Sequence, residues 1–336
     1  MEKIDRSYVR YIRYFVQWSV FFFLIYAGYR FYLFVDYFSG GQVNSTLPVS
    51  RLPSVEGFLP ISALMSLKLW LFTGYFDIIH PAALVIFIAA LAMAFFLRKS
   101  FCGWICPVGA FSDLTWKLGK KLFRKNFIIN KYVDFPLRSL KYILMIFFIY
   151  VIAIKMPSYA ILEFIEGDYY KIADVKMLYF FTKMTTTTLV TLLILFLLSM
   201  LYKNFWCRYL CPYGALLGIL AICSPLRITR NEDACTHCGS CTRNCPSQLP
   251  VEDKERIISP ECTGCLTCVS HCSSKGALDI AFTRKKILNP LLFVFLLLAL
   301  FFGTIGIGKI TNKWNSAITY EEYRQMIPKA DILGHP

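Results

Sequence analysis

CTHCGSCTRNCPSQLP, residues 235–250, sets Cys235, Cys238, Cys241 and Cys245 in a C-x2-C-x2-C-x3-C-P run. Cys262, Cys265, Cys268 and Cys272 repeat the spacing 27 residues later, closing on Ser273 in place of proline. Three closely spaced thiolates wrap one corner of an iron–sulfur cube, and the remaining iron must be reached from elsewhere. In bacterial ferredoxins the fourth cysteine of each run serves the other cluster. The spacing therefore predicts one [4Fe–4S] cluster on Cys235, Cys238, Cys241 and Cys272 and a second on Cys262, Cys265, Cys268 and Cys245. A single C-x2-C could hold zinc; two complete four-cysteine runs argue for iron–sulfur. His237 and His271 lie inside the runs and read as turn residues, since eight cysteines already fill two cubanes.

These runs sit in a locally acidic stretch, about 224–286, the one soluble insertion in an oily chain. A domain this small needs a staple, and metal binding supplies it, because its free energy becomes folding free energy. Around it, 57% of the 336 residues are apolar and 17% are charged, against about 25% charged in an average soluble domain. Apolar runs near 15–35, 78–97, 140–156, 184–202 and 288–308 are long enough, or nearly so, to cross a bilayer. A sixth run, 57–76, carries Pro60 and Lys68 in its middle and reads as a re-entrant or interfacial segment, given the cost of a lysine at mid-bilayer. The expected fold is a polytopic α-helical membrane protein, about five spans plus one re-entrant segment. An α+β two-cluster ferredoxin-like domain is inserted in it. The divisions are 1–223 (membrane), 224–286 (clusters), 287–308 (last span) and 309–336 (outer tail).

The net charge of +15 suits a nucleic-acid partner in principle, but it is placed as a topology signal. Between Arg98 and Lys141 ten basic residues face two acidic ones, while 36–80 and 157–184 are each net −1. The basic loop and the N-terminus (Lys3, Arg6, Arg10, Arg13) are thus expected inside, and so is the cysteine-rich insertion; the last 28 residues fall outside. No cleavage site follows the first span, so it is expected to stay. Thirteen cysteines around a cytoplasmic domain indicate metal, not disulfides.

KSFCGWICPVGAFSDL (99–114) matches KNFWCRYLCPYGALLGI (203–219) once one residue is inserted before the first cysteine. Both copies follow a span running outside to inside, as in parallel repeats about an axis along the membrane normal. Each copy carries C-x3-C-P: Cys102 and Cys106, then Cys207 and Cys211. Three readings stay open: apolar packing, a dithiol–disulfide switch, or a third metal centre, for which two pairs give the four thiolates needed. Pro107 and Pro212 would start helices, and Gly109 and Gly214 would allow close packing. Cys223 reads as core. His80 reads as an interfacial histidine, with hydrogen bonding to a quinone as the alternative. Arg30 is expected to snorkel toward Asp36 or to mark a headgroup site. Trp18, Trp70, Trp104 and Trp206 fit interface belts.

The C-x3-C-P pair with two ferredoxin runs resembles the NapH-type membrane polyferredoxins. The stretches that carry the resemblance are GFLPISALMSLK (57–68), CPVGAFSDL (106–114), WCRYLCPYGALLG (206–218), ECTGCLTCV (261–269) and ILGHP (332–336). The resemblance implies a bacterial inner-membrane electron-transfer protein with two cytoplasm-facing clusters, drawing on the quinol pool for an outer redox partner. The family also takes in the C-terminal part of the regulator NosR, whose outer flavin domain has no counterpart in this sequence. A second reading is an assembly factor that reduces a metal ion or a disulfide for another membrane complex, with the C-x3-C-P cysteines as its working groups. The expected partners are membrane lipid, the quinone pool and a redox protein, with no nucleic acid.

Overall fold

The computed structural model describes residues 6–40, 49–125, 127–274, 276–282 and 287–334. Lys3, Lys275 and residues 335–336 lie outside them. In chain order the helices begin with α1 (Tyr8–Phe38), α2 (Pro60–Thr73), α3 (Pro81–Phe96), α4 (Ser100–Trp104), α5 (Pro107–Phe123) and α6 (Lys131–Ile149). They continue with α7 (Ser158–Glu166), α8 (Asp168–Lys171), α9 (Ala173–Thr182), α10 (Thr186–Leu201) and α11 (Pro212–Ile222). The insertion adds β1 (Arg227–Arg230), α12 (Ser240–Arg243), β2 (Arg256–Ile257), α13 (Thr267–Ser270) and β3 (Leu278–Ala281), and the chain closes with α14 (Pro290–Ile310) and α15 (Tyr320–Met326).

Among the described residues three helices are long and apolar enough to cross a membrane: Tyr8–Phe38, Tyr132–Lys155 and Pro290–Ile310. A fourth joins them if α9 and α10, bent by 77° at their junction, count as one span. The 78–97 segment forms the 16-residue α3, about 24 Å at 1.5 Å per residue, short of the ~30 Å hydrocarbon core. Large side chains such as Phe15, Ile143, Leu193 and Phe295 stay exposed, as lipid-facing helix surfaces do.

The chain forms two compact units and passes between them at 21/22, 89/90, 145/146, 191/192 and 301/302. Each passage falls inside α1, α3, α6, α10 or α14.

The first unit holds every cysteine pattern described above. Its sheet has the order β2-β1-β3, all antiparallel, with Ile228 opposite both Ile257 and Ile280. All three isoleucines are buried. Both repeats fold alike at their second cysteine. Cys106 and Cys211 are extended N-cap residues (ψ 121° and 104°), and Pro107 and Pro212 open α5 and α11. Proline suits this position because its missing N–H would have no helical partner there. The stretch before the cap differs, being the α-helix α4 in the first copy and a π-helical turn, Trp206–Leu210, in the second. On α5 Ala110, Ser112, Asp113, Thr115, Trp116 and Gly119 are buried, and a side chain on Gly119 would collide with the backbone oxygen of Met200.

The second unit has its own core: Phe31, Phe34 and Val35 of α1, Met65 and Leu69 of α2, Ile161 and Ile165 of α7, and Tyr323, Met326, Ile327 and Ala330 of the tail. The tail is therefore partly packed, with α15 opened by a Thr319/Glu322 capping box. Lys68 has a specific employment. Its ammonium donates to the carbonyls of Ile152 and Ala153 at 3.0 and 3.1 Å and to that of Met156, at the π-helical turn Tyr150–Lys155. Carbonyls displaced by such a turn need a donor, and the lysine that argued against a simple span supplies it. Arg30 bonds Tyr26 Oη and Ser50 Oγ, both at 3.1 Å, and not the expected Asp36.

A Gly119→Ala substitution is expected to lower stability by about 1–3 kcal/mol through overpacking. Gly28→Ala in α1, where a β-carbon meets nothing within 4 Å, should stabilise by up to ~1 kcal/mol through helix propensity. Thermal unfolding of both variants in the same detergent checks the contrast.

Candidate iron–sulfur sites

Cys235, Cys238, Cys241 and Cys272 line one cavity of the insertion, together with Arg230, Gly239 and Glu252. Cys245, Cys262, Cys265 and Cys268 line a second, walled by Ile228, Leu249, Val251 and Ile257. Each offers about 350 Å³ free of protein atoms, part of it open to solvent. The fourth cysteine of each run thus lies at the other run's cavity. Among the described residues no three His, Cys, Asp or Glu side chains converge tightly enough for a single metal ion. In each cavity four thiols line a common space, the arrangement a multi-atom cluster requires. The two cavities differ in depth: Cys245, Cys262 and Cys268 are buried, whereas Cys238 is exposed. His271 caps α13, with Nδ1 2.9 Å from Thr267 O and Nε2 3.1 Å from Arg10. His237 sits in a turn at φ 49°.

Cys102, Cys106, Cys207 and Cys211 share one electrostatic neighbourhood in which each acts on others of the set. Cys211 Sγ accepts the N–H of Gly214 at 3.2 Å, and Cys106 takes the equivalent bonds from Gly109 and Val108. Two helix N-termini therefore direct backbone donors at sulfur, a setting that favours negative charge. A side chain on Gly109 would run into the carbonyl oxygen of Cys102. Without metal, burial dominates: it pushes the Cys102 thiol up to about 12 and Cys106 to about 11. Burial opposes the charge on Lys99, but Cys102, Glu261, Cys211 and Cys207 outweigh it and hold the amine above its usual value.

The second cysteine run is docked on the first repeat. Trp104 Nε1 donates to Gly264 O at 3.1 Å, and Arg98 Nη2 to Ser259 O at 3.0 Å. Arg13 reaches Gly103 O (3.0 Å), Thr267 Oγ1 (2.8 Å) and Asp113 (3.4 Å). A β-carbon on Gly103 would stand 2.8 Å from Thr263 O and 3.3 Å from Cys265 Cβ. Trp104 is therefore no interface-belt residue: it is fully buried and holds a cysteine loop. Cys223 is exposed, not core.

His80 is fully buried in the second unit, not at an interface. Its Nε2 lies 2.8 Å from Tyr170 O and its Nδ1 3.6 Å from Glu56 Oε1. Arg51 pairs with Glu56 and Asp174, both at 2.7 Å, and Tyr170 and Ser66 donate to Asp77. Single residues scattered over 51–174 gave no spacing by which to foresee this network.

A family model described as "4Fe-4S binding domain" matches residues 79–126 and 184–228, covering both C-x3-C-P repeats. Another, "4Fe-4S dicluster domain", matches 227–273. YccM of Escherichia coli K12, named for a role in electron transport, is 41% identical over 93% of this chain and 88% of its own length. The ferredoxin-type protein NapH of Haemophilus influenzae is 26% identical over 71% of this chain and 77% of its own. The regulatory protein NosR of Pseudomonas aeruginosa is 30% identical over 51% of this chain but only 23% of its own. No solved structure matches the chain.

Asp113 anchors Arg13 beneath the cysteine loop. Burial would raise its carboxyl; Arg13 and Lys117 outweigh that and hold it below the usual carboxylate value. Its folded value being depressed, the stability it contributes is present above about pH 4 and lost as pH falls through the lowered value. Asp113→Asn should cost about 3–5 kcal/mol at pH 7, and the gap to the parent should narrow below about pH 4. Unfolding midpoints of both proteins across pH 3–7 measure it.

Proposed function

The chain belongs to the family of NapH-type ferredoxin proteins that includes YccM, and from that premise we propose that it conducts electrons between the quinol pool and a redox partner protein through iron–sulfur centres. The crossing of the fourth cysteines carries the reading: Cys272 lines the cavity of the first run and Cys245 that of the second. Cys235, Cys238, Cys241 and Cys272 would hold one [4Fe–4S] cluster, and Cys262, Cys265, Cys268 and Cys245 the other. Cys102, Cys106, Cys207 and Cys211 would hold a third iron–sulfur centre, consistent with the 4Fe–4S family match over both repeats. Bound clusters supply reversible one-electron storage.

The chain's own part is ligation, spacing and insulation. Gly103, next to Cys102, packs so closely on Thr263 and Cys265 that a β-carbon there would stand 3.3 Å from Cys265 Cβ, so the first C-x3-C-P repeat and the buried cavity adjoin. The crossed cysteines tie that cavity to the one whose Cys238 is exposed, which suits exchange with a soluble carrier. Three helices long and apolar enough to span, a fourth if α9 and α10 form one span, and the shorter apolar α3 underlie the reading of five crossings of a bacterial inner membrane, with the N-terminus and the clusters cytoplasmic and the C-terminus periplasmic. A short α3 is tolerated by local thinning of the bilayer.

The assembly-factor reading asks Cys102, Cys106, Cys207 and Cys211 to work as dithiols. A nucleophilic thiol must ionise readily, and burial pushes Cys102 and Cys106 the other way. Metal ligation removes that obstacle, because the metal takes the proton's place.

Anaerobically purified protein should carry about 12 iron atoms per chain, against about 8 for two cubanes alone. Cys245→Ala and Cys272→Ala should each remove about 4, Cys245→Ala bleaching the buried cluster and Cys272→Ala the exposed one. A soluble quinol analogue should change the cluster spectrum of the parent protein. No change with any quinol would end the conduit reading, and a partner oxidoreductase lacking its metal in a deletion strain would favour the assembly factor.

A further inference from the structure

Lys99 stands directly before α4 and is only 4% exposed. Its amino group lies 3.6 Å from the point where a β-carbon on Gly214 would stand, and Cys211 Sγ lies 3.4 Å from that same point. The ammonium and the sulfur thus share one side of α11's first turn. Lys99 also acts electrostatically on Cys102, Cys207 and Glu261. Glu261 accepts from Lys141 Nζ with both oxygens, at 2.7 and 2.6 Å, and from Tyr142 Oη at 2.8 Å. It is also the residue immediately before Cys262. Lys99 thus stands between the thiol quartet and Glu261 at the start of the second cysteine run, with Lys141 also on that carboxylate.

Buried lysines are rare unless paired. Lys99 faces Glu261 as well as the sulfurs, and Lys141 binds both oxygens of that carboxylate, so Lys99 stands between the sulfurs and a carboxylate already shared with a second ammonium. Four thiolates around iron leave a net negative site, and one-electron reduction adds a further negative charge while moving no atom. A fixed positive charge a few ångströms away, in a medium of low effective dielectric, stabilises the reduced form more than the oxidised one. A fixed negative charge on the far side does the reverse.

We propose that Lys99 is the counter-charge of the centre held by Cys102, Cys106, Cys207 and Cys211 and raises its reduction potential, while Glu261 lowers it. This rests on the reading that those four cysteines hold a third centre. The electron comes from the quinol pool and leaves toward the Cys245/Cys262/Cys265/Cys268 site. Lys99 acts as a positioned charge.

The test is iron content plus an EPR-monitored redox titration of the full chain in detergent, for the parent, Lys99→Met, Lys99→Arg and Glu261→Gln. In Lys99→Met one midpoint should fall by the equivalent of at least a tenfold change in the reduction equilibrium, 59 mV for one electron. Lys99→Arg should stay near the parent, and Glu261→Gln should move the same midpoint upward. Loss of about 4 iron atoms from Lys99→Met but not from Lys99→Arg would also support the assignment. Unshifted midpoints in Lys99→Met, equal shifts in Lys99→Met and Lys99→Arg, or equal iron loss in both would overturn it, leaving Lys99 as packing. A parent with only about 8 iron atoms would instead remove the third centre itself, a separate failure.

Discussion

The carbonyl oxygen of Thr263 stands 2.8 Å from where a side chain on Gly103 would begin. That approach decides how the first unit is built. Any larger residue at 103 would push the second cysteine run off the first repeat. With glycine there, the two backbones meet and their polar groups must be satisfied locally. Arg13 and Gln17 of α1 both donate to Gly103 O at 3.0 Å, and Trp104 and Arg98 close the contact from either side. Buried charge tolerates little misplacement, because an unpaired partner costs several kcal/mol. Arg13 and Asp113 therefore hold the contact in one geometry.

From this contact the insertion inherits most of its order. Its sheet is small, four residues in β1 and β3 and two in β2. Such a domain has too little core to stand alone. One side is secured by docking on the repeat, and the proposed clusters would secure the other. That division explains the difference in depth between the cavities. The one beside the docked loop is walled by aliphatic side chains, and the one away from it leaves Cys238 exposed. Shielding favours a stable relay, and exposure favours exchange.

Much of this was legible in the residues themselves. Cysteine spacing alone predicts crossed sets, and each fourth cysteine does line the cavity of the other run. Cysteine-proline with glycine two residues on marks an N-cap, since each residue type meets one backbone requirement there. Other features had no periodic signature. Trp104 looks like any interfacial tryptophan until a carbonyl is placed beside its N–H. Lys68 is costly in a bilayer unless carbonyls turn toward it, and those carbonyls come from a π-helical turn 80-odd positions along the chain. The length of α3 also escaped, because apolar composition continues on either side of the residues that are helical. His80 and the Arg51 network depend on contacts among 51–174 that no local pattern encodes.

The ten basic residues between Arg98 and Lys141 serve two ends at once. Counted as a loop they indicate orientation. In the fold Arg98, Lys99 and Lys141 are buried and bond or face groups inside the protein: carbonyls for Arg98, sulfurs and Glu261 for Lys99, and Glu261 for Lys141. These three charges cannot reach a lipid headgroup. The two acidic residues of the stretch are buried as well, Asp113 against Arg13 and Lys117, and Asp134 against Arg208 and Arg138. What remains at the surface is still strongly basic: Lys120, Lys121, Arg124 and Lys125 fall at the end of α5, beside exposed Leu118, Leu122 and Phe123. The expected orientation therefore rests on the exposed members of the stretch alone. One segment of this chain thus supplies both buried positive charge beside cysteine sulfurs and a basic surface.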